Sequence, residues 1–343
     1  MRRRRAWSSP SACTAYEQAL SKCALRPANS APEAQIGTPR TLAKGWIALL
    51  ASCIMTRGAD PFIDEQNDPV LLDQWHVVAS IAELRRGPVR TILLGRRLTV
   101  AIRQDQPVAH HADGAAAATM LHLEYVWVCL GQKPARLFDI PELAEPERRV
   151  VHAGSFGVRT SPPRAIENFL DLGHFPYVHK DFLGLEPHTE VPTYRVSTEQ
   201  DGQELFARDC RFFQPRSAAN ASEGFVVEYV YRVPHPLCAV LYKLNPLDRD
   251  RQDVIALFCQ PVGPEQVRAH MLVSLFDDTS DDAELIGFQQ LIFAQDKPIL
   301  ENQVPLRLPL SPGAEVPVRA DAMSVAYRRY LAALGLRHGV IAA

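Results

Sequence analysis

The sequence predicts an α+β fold in which a curved antiparallel sheet packs around one long helix. The first observation is a run of consecutive strand candidates with short connections, which favours an antiparallel meander with one solvent-exposed face. The second is a long helical segment after them, at about residues 282–303. With 343 residues and 47% hydrophobic content, the chain is large enough to bury the core of such a fold.

Six segments have strand-like composition and are separated by turn sequence. They are residues 191–197, 205–213, 225–233, 237–244, 254–260 and 269–276. The third alternates most clearly with period two, because Tyr229 and Tyr231 fall on one face with other apolar residues. Glu228 and Arg232 fall on the opposite face.

The predicted long helix carries an apolar stripe that can pack against the sheet. The apolar residues are Leu285, Ile286, Phe288, Leu291, Ile292, Ile299 and Leu300. Pro298 is expected to kink the helix locally and to free nearby backbone groups.

A shorter helix is predicted to begin after Ser161, whose hydroxyl can accept the free N–H groups, and prolines follow at the first helical positions. On that helix Asp171 and His174 are three residues apart and share a face. Pro176 cannot continue a helix interior, so His179 is expected to come from the following turn. A break there would let the two imidazoles converge, whereas a straight helix would hold them apart.

Asp171, His174 and His179 form the pattern DxxHxxxxH within residues 167–179. Two imidazoles so spaced, with a carboxylate from elsewhere, can hold a metal ion on three adjacent positions and leave the others open. That arrangement suits O2 activation at non-haem Fe(II). The spacing alone leaves open two half-buried histidines at a helix end, and two histidines with a carboxylate also suit zinc.

The segment ENFLDLGHFPYVH resembles the mononuclear-iron motif of the Rieske-type oxygenases. The resemblance continues through FQQLIFAQDKPILENQ and VRADAMSVAYRRYL and covers roughly residues 70–335. Within that family the chain is most similar to demethylating oxygenase subunits of the vanillate and methylxanthine type. The resemblance implies a helix-grip (START/Bet v 1-like) catalytic domain with a mononuclear iron over residues 136–335.

The resemblance also implies the ligands of the metal. His174, His179 and Asp296 would hold Fe(II), with O2 as co-substrate. Without the resemblance, the favoured interpretation of Asp296 is a surface aspartate paired with Lys297 or Arg307.

Three further residues are expected near the iron. Asp171 stands where the family has an aspartate that connects two histidines by hydrogen bonds. One histidine ligates the iron and the other ligates the Rieske cluster of a neighbouring subunit, so the resemblance implies that Asp171 bridges the path of the electrons. The alternative is a carboxylate that stabilises the helix. Asn168, one turn earlier, is expected close to the iron. Gln289 lies two turns before Asp296 and should point into the same cavity as a substrate-contacting amide, the alternative being a polar residue at the sheet–helix margin.

Residues 66–135 resemble a truncated Rieske-like β domain. A Rieske [2Fe–2S] cluster needs two cysteines and two histidines, which the family supplies as CxH and CxxH. Cys129 is the only cysteine in this stretch, and no histidine follows it at either spacing. His110 and His111, beside an alanine-rich run, are expected to be a solvated loop pair. The chain is therefore expected to have no [2Fe–2S] cluster of its own and to use NAD(P)H only indirectly, through a reductase.

The first 65 residues differ in character from the rest. They begin with a basic run and continue in Ser-, Ala- and Pro-rich sequence, which suggests a disordered tail or a misassigned start, with Met55 as the true one. Their apolar stretch, residues 46–55, is far shorter than the ~20 residues of a membrane span. A net charge of −2 suggests no nucleic-acid partner, and seven cysteines without a short-spaced pair favour reduced thiols in the cytoplasm.

The function implied by the resemblance is that of an oxygenase catalytic subunit. It would hydroxylate an N-methyl group of a small aromatic such as a methylxanthine, with release of formaldehyde. Electrons would come from a Rieske-bearing reductase or a cluster-bearing oxygenase subunit, in a trimer-based homo- or hetero-oligomer. The alternatives are an O-demethylase or ring hydroxylase, a structural subunit without catalysis, and a zinc hydrolase that uses Glu167 as acid and base.

Overall fold

The computed structural model describes residues 65–342, except 220, 222 and 247, and contains two antiparallel sheets joined by a shared apolar core. Among the described residues, no helix is long and apolar enough to span a membrane. The expectations for the segment before residue 65, including a start at Met55, lie outside the described residues.

The first sheet has six strands in the order β1-β6-β5-β4-β3-β2. Its strands are β1 (His76–Ser80), β2 (Val89–Leu93), β3 (Arg96–Arg103), β4 (Gln106–His111), β5 (Ala116–His122) and β6 (Tyr125–Cys129). Two short helices, α1 (Pro69–Leu72) and α2 (Ile81–Leu84), flank β1. All six strands fall within residues 66–135, and their Rieske-like origin stays a prediction.

The expectation of a loop at His110 and His111 is wrong, because both residues lie in β4. A turn at Asp113 and Gly114, where Gly114 has a φ of +90°, reverses the chain into the alanine-rich strand β5. Each of the two strands is also paired on its other side, β4 with β3 and β5 with β6. This pairing outweighs the weak strand preference of alanine.

The second sheet has seven strands in the order β7-β13-β12-β11-β10-β9-β8, all antiparallel. Its strands are β7 (Arg149–Val158), β8 (Arg195–Glu199), β9 (Glu204–Gln214), β10 (Phe225–His235), β11 (Cys238–Leu244), β12 (Gln252–Gly263) and β13 (Gln266–Leu275). Six of them form the predicted meander, with β8 displaced by a few residues from its predicted place. The seventh, β7, was not predicted; its two glycines weaken the strand signal.

The helices of this half of the chain are α3 (Pro162–Leu170), α4 (Phe175–Val178), α5 (Asp282–Asn302) and α6 (Ala322–Leu334). The long helix α5 begins at a capping box formed by Asp281 and Glu284, continues through Pro298, and packs against β7. Two short strands, β14 (Leu308–Pro309) and β15 (Val340–Ile341), form a parallel pair. Single 3₁₀ turns occur at Glu65–Asn67, Pro141–Ala144 and Arg319–Asp321.

The two sheets are connected through β12. The side-chain amide of Gln260 donates to the Thr91 hydroxyl and to the Ile92 carbonyl, both at 2.7 Å. Aromatic residues fill the space between the sheets, with Trp127 edge-on to Phe258 at 5.2 Å between ring centroids. The first sheet is therefore held against the second by both hydrogen bonds and apolar packing.

Two buried histidines also lie at this junction. His76 of β1 and His235 of β10 meet edge to face, with ring centroids 5.7 Å apart. Burial lowers the pKa of His76 to about 4, although the hydrogen bond from its Nε2 to the Leu71 carbonyl opposes the shift. The folded protein therefore binds fewer protons here than the unfolded chain.

We predict that His76 makes the protein acid-sensitive well above the range in which carboxylates titrate. Its contribution to stability is present above the unfolded pKa of 6.5 and is lost as the pH falls towards 4. Between pH 7 and pH 5 this loss amounts to about 2 kcal/mol. The variant H76Q keeps an N–H for the Leu71 carbonyl but does not titrate, so its free energy of unfolding should depend less on pH in urea titrations. Parallel pH profiles for the two proteins would contradict the prediction.

Candidate metal centre

Helix α3 ends earlier than the sequence suggested. The Ser161 hydroxyl accepts from the Arg164 N–H at 3.3 Å, as expected of an N-cap, but the helix stops at Leu170. Asp171 is extended (φ −83°, ψ 128°), and its Oδ1 accepts from the Gly173 N–H at 2.7 Å. The expectation that Asp171 lies within the helix is wrong, because its carboxylate stabilises a turn in place of another helical residue.

The expected break at Pro176 is wrong, because the helix is interrupted earlier, at residues 171–173, and this interruption brings the two histidines together. His174 caps the N-terminus of α4, Pro176 occupies its second position, and His179 follows its last residue. Proline is tolerated there because the first turn of a helix has no partner for its N–H groups. The Nε2 atoms of His174 and His179 are 3.0 Å apart, so the expected convergence of the imidazoles is present.

Asp296 of α5 completes this cluster. Its Oδ1 lies 3.4 Å from Nε2 of His174 and 3.2 Å from Nε2 of His179. Lys297, which was the alternative partner, instead bonds the Gly157 carbonyl and Glu301. Asp296 is 9% exposed and is not a surface aspartate.

The protonation of the cluster leaves electron pairs facing one another. Nδ1 of His174 donates to Asp171 Oδ2 at 3.0 Å, and Nδ1 of His179 donates to Gln295 Oε1 at 2.9 Å. Since both acceptors are oxygens, each neutral imidazole presents the lone pair of its Nε2. Asp296 Oδ1 is buried and has no hydrogen-bond partner among the described residues. Three electron-rich atoms therefore meet at about hydrogen-bond distance.

A bound cation would remove the repulsion among these three electron-rich atoms. Burial opposes the charged form of His174, but the carboxylates of Asp171 and Asp296 outweigh it and raise the pKa of this imidazole to about 9. Burial favours the neutral form of the Asp296 carboxyl, but its contacts with His174 and His179 outweigh burial and lower its pKa. The cluster thus attracts positive charge, and a bound metal ion would displace a proton from it.

The distances suit one metal ion held on a single face. Two donor atoms each ~2.1 Å from a metal, at right angles, lie ~3.0 Å from each other. The observed separations are 3.0, 3.2 and 3.4 Å. His174, His179 and Asp296 therefore fit the arrangement of two histidines and one carboxylate, which leaves the remaining coordination positions open.

A largely apolar cavity adjoins the cluster, between α3, α5 and the concave face of the second sheet. Asn168, His179 and Asp296 line it beside apolar residues. The apolar lining includes Phe169, Leu241, Leu257, Met271, Ile292 and Phe293. Gln289 also lines it, so Gln289 and Asp296 face one cavity as the sequence suggested.

Glu167, the acid and base of the zinc-hydrolase alternative, is occupied in a buried ion network. It accepts from Arg164 Nη1 at 3.1 Å and from Arg328 Nη2 at 3.0 Å. Glu315 bonds the same two arginines. Both carboxylate oxygens of Glu167 are engaged by guanidinium groups and are not free to exchange a proton with a substrate, which disfavours the hydrolase.

The sequence interpretation missed Gln295, although it directly precedes Asp296. Its side chain orients His179 across 116 residues of sequence. A polar residue next to a predicted ligand was the available signal, but a helix gives adjacent residues different directions, so only the three-dimensional structure identifies the contact.

Comparisons with known proteins agree with this fold. Residues 158–337 match the vanillate O-demethylase oxygenase C-terminal domain family. The chain is 46% identical over 263 residues to the probable methylxanthine N7-demethylase NdmC of Pseudomonas sp. (strain TJI-51), a match that covers 76% of this chain and 93% of NdmC. It is 27% identical over 239 residues to the methylxanthine N3-demethylase NdmB of Pseudomonas putida, covering 68% of this chain and 64% of NdmB.

Solved structures show the same fold. NdmB of Pseudomonas putida CBB5 matches with a TM-score of 0.63 at 20% identity, over 81% of this chain and 98% of that one. Dicamba monooxygenase bound to 3,6-dichlorosalicylic acid matches with a TM-score of 0.63 at 15% identity, over 77% and 97%.

The fold and its relatives define an oxidoreductase of the oxygenase class. The chain belongs to the Rieske-type oxygenases, and residues 158–337 are the C-terminal domain found in vanillate O-demethylase oxygenase.

We predict that Gln295 controls metal affinity through His179. In Q295L, Nδ1 of His179 loses its acceptor, so the imidazole is free to rotate, and the affinity for a divalent metal should fall about 10- to 100-fold. The matched control is Q290L on the same helix, which removes a bond to the Ala153 carbonyl far from the ligands. Competition with a metal chelator measures both affinities. Equal affinities in the two variants would contradict the role of Gln295.

Proposed function

We propose that the chain is the iron-bearing oxygenase component of an O2-dependent N-demethylase that acts on a small methylated aromatic. The convergence of His174, His179 and Asp296 carries the proposal, because these donors could hold one metal ion and two of them, His179 and Asp296, line an apolar cavity. The names of the relatives, methylxanthine N7- and N3-demethylases, support methylxanthines as the substrate class.

Fe(II) bound by these residues would supply the activation of O2, in the overall reaction R2N–CH3 + O2 + 2 e⁻ + 2 H⁺ → R2N–H + HCHO + H2O. The chain's own residues bind and orient the reactants. The apolar walls of the cavity exclude water and accept a planar ring, and Asn168 presents an amide beside His179. The hydrogen bonds to Asp171 and Gln295 hold each imidazole in the tautomer that a metal requires.

The two electrons are proposed to arrive on the other side of the cluster. An open groove between α3, α6 and residues 310–317 reaches Asp171 and His174 from the surface. The Asp171 side chain is 28% exposed and bonds Nδ1 of His174, so it connects a docked donor with a metal ligand. Exposed Ile299 and Val316 on the same groove provide apolar area for such a contact.

The donor is proposed to be a separate Rieske-bearing protein, either a reductase supplied by NAD(P)H or a cluster-bearing oxygenase subunit. Among the described residues, Cys129 of the first sheet is buried, and burial raises the pKa of its thiol. Such a thiol is a poor cluster ligand. A trimer-based assembly and a cytoplasmic location belong to the same proposal; the four described cysteines, all buried and free, suit a reducing compartment.

Metal analysis and single-turnover kinetics test the proposal. After anaerobic loading with Fe(II), about one iron per chain is expected, with formaldehyde formed only when a reduced Rieske protein is added. O-demethylated or ring-hydroxylated products would select the alternatives within the family. A chain that binds no iron under these conditions would overturn the proposal and leave the structural subunit.

The variant D171N is expected to lose about 10- to 100-fold in turnover while it keeps its iron. Asparagine has the same shape but no charge, so the link between groove and His174 Nδ1 is weakened, and the three ligands remain. D321N, in the same groove but without contact to His174, is the control. Stopped-flow reoxidation of the reduced Rieske donor measures the effect. If D171N reoxidises the donor as fast as D321N does, Asp171 is not the bridge.

A further inference from the structure

The cavity next to the metal cluster has a second polar end. Gln289 lies two turns before Asp296 on α5, ~10 Å away along the helix axis. Three residues of the sheet, Gln214, Tyr229 and Lys243, line the cavity together with it. Lys243 and Gln289 also line a small adjoining cavity, so both lie where the main cavity continues away from the metal ligands.

The sheet register directs these residues to the same face. Tyr229 of β10 and Lys243 of β11 are directly paired, so their side chains share a face. Leu241, two residues before Lys243, lines the cavity as well. The Lys243 side chain therefore belongs to the concave face of the sheet, which an apolar residue would normally occupy.

Lys243 keeps hydrogen-bonding capacity in this position. The residue is 4% exposed, and its ammonium donates to the Ser217 carbonyl. An ammonium has three donors, and no second acceptor for Nζ is found among the described residues. Asp253, its cross-strand partner on β12, places a carboxyl nearby that favours the charged form.

The neighbouring polar atoms are also unsatisfied. Gln214 Oε1 and the Tyr229 hydroxyl are buried and have no hydrogen-bond partner among the described residues. Buried polar groups in a folded protein are normally paired, so such atoms on a cavity wall indicate a ligand or ordered water. The group offers donors from Lys243 and an acceptor from Gln214.

We propose that Lys243 is a specificity-determining residue that recognises an oxo oxygen of a planar heteroaromatic substrate, with Gln214 and Gln289 beside it. This inference rests on the proposed function and deepens it. With the oxo group held at Lys243, the substrate extends along the apolar walls and presents its opposite edge, which carries the methyl group, to His179 and Asp296. A charge-assisted hydrogen bond in a dry cavity is strong enough to decide orientation.

Lys243 remains mostly charged at neutral pH. Burial lowers its pKa to about 8, and the Asp253 carboxyl opposes the shift. The alternative role for Lys243 is structural, since its bond to Ser217 fastens the loop after β9. The two roles differ in one respect: a structural lysine does not distinguish substrates that differ by a single oxo group.

The test compares K243M with Y242F, whose altered side chain lies on the opposite face of the same strand. The probes are 7-methylxanthine and the two 7-methylpurines that carry only its 2-oxo or only its 6-oxo group. Anaerobic binding to the iron-loaded protein and formaldehyde formation with a Rieske donor are both measured. Wild type and Y242F are expected to bind 7-methylxanthine 10- to 100-fold more tightly than one of the two mono-oxo purines.

In K243M this discrimination should disappear, and binding of 7-methylxanthine should weaken 10- to 100-fold. Iron content should be unchanged, and kcat should fall because the methyl group is no longer held towards His179 and Asp296. If K243M does not fold, K243Q keeps an N–H for the Ser217 carbonyl and is expected to reduce the discrimination in the same direction.

The two proposals fail in different ways. If wild type binds none of the three purines, both the proposed function and the role of Lys243 are overturned. If wild type binds and demethylates 7-methylxanthine but K243M discriminates as wild type does, only the role of Lys243 is overturned.

Discussion

The structure of the site depends on one electrostatic constraint: three electron-rich atoms lie within 3.4 Å of one another in a buried place. Two lone pairs and a carboxylate oxygen at these distances repel unless a proton or a metal ion lies among them. The surroundings increase the demand for positive charge, because Asp171 adds a second carboxylate behind His174. A subunit without metal chemistry would have no use for three such atoms in contact. The presence of His174, His179, Asp296 and Asp171 in this arrangement argues against a purely structural subunit.

The position of His174 and His179 depends on helix α3, and the orientation of α3 depends on buried ion pairs. Arg164 is 1% exposed and bonds Glu167 and Glu315, while Arg328 of α6 bonds the same two carboxylates. Removing one member of such a network leaves an unpaired buried charge, which is costly. The network therefore fixes the orientation in which α3 ends, and the short turn after Leu170 then determines where His174 lies.

The features that depend on local sequence could be predicted, and those that depend on distant contacts could not. The meander and the long helix follow from periodicity and capping residues. The convergence of His174 and His179 was expected from a break at Pro176, but it depends on the turn at residues 171–173. Strand β7 escaped prediction because its glycines weaken the strand signal, and the strand is stabilised by pairing with β13 and by packing against α5. The alanine-rich strand β5 carries no strand signal without its two neighbours. The inferred roles of Gln295 and Lys243 depend on tertiary contacts, and no spacing in the sequence indicates them.

The metal cluster lies between two openings of different chemistry. The cavity bounded by α5 and the sheet is apolar with a polar far end, which suits a small planar molecule. The groove on the other side is lined by Arg164, Arg328 and Arg329 with several carboxylates, which suits a protein surface. His174 is reached from the groove, and His179 from the cavity. The proposed substrate and the proposed electron donor therefore have separate places on the chain, which supports the proposal that the electrons come from another polypeptide.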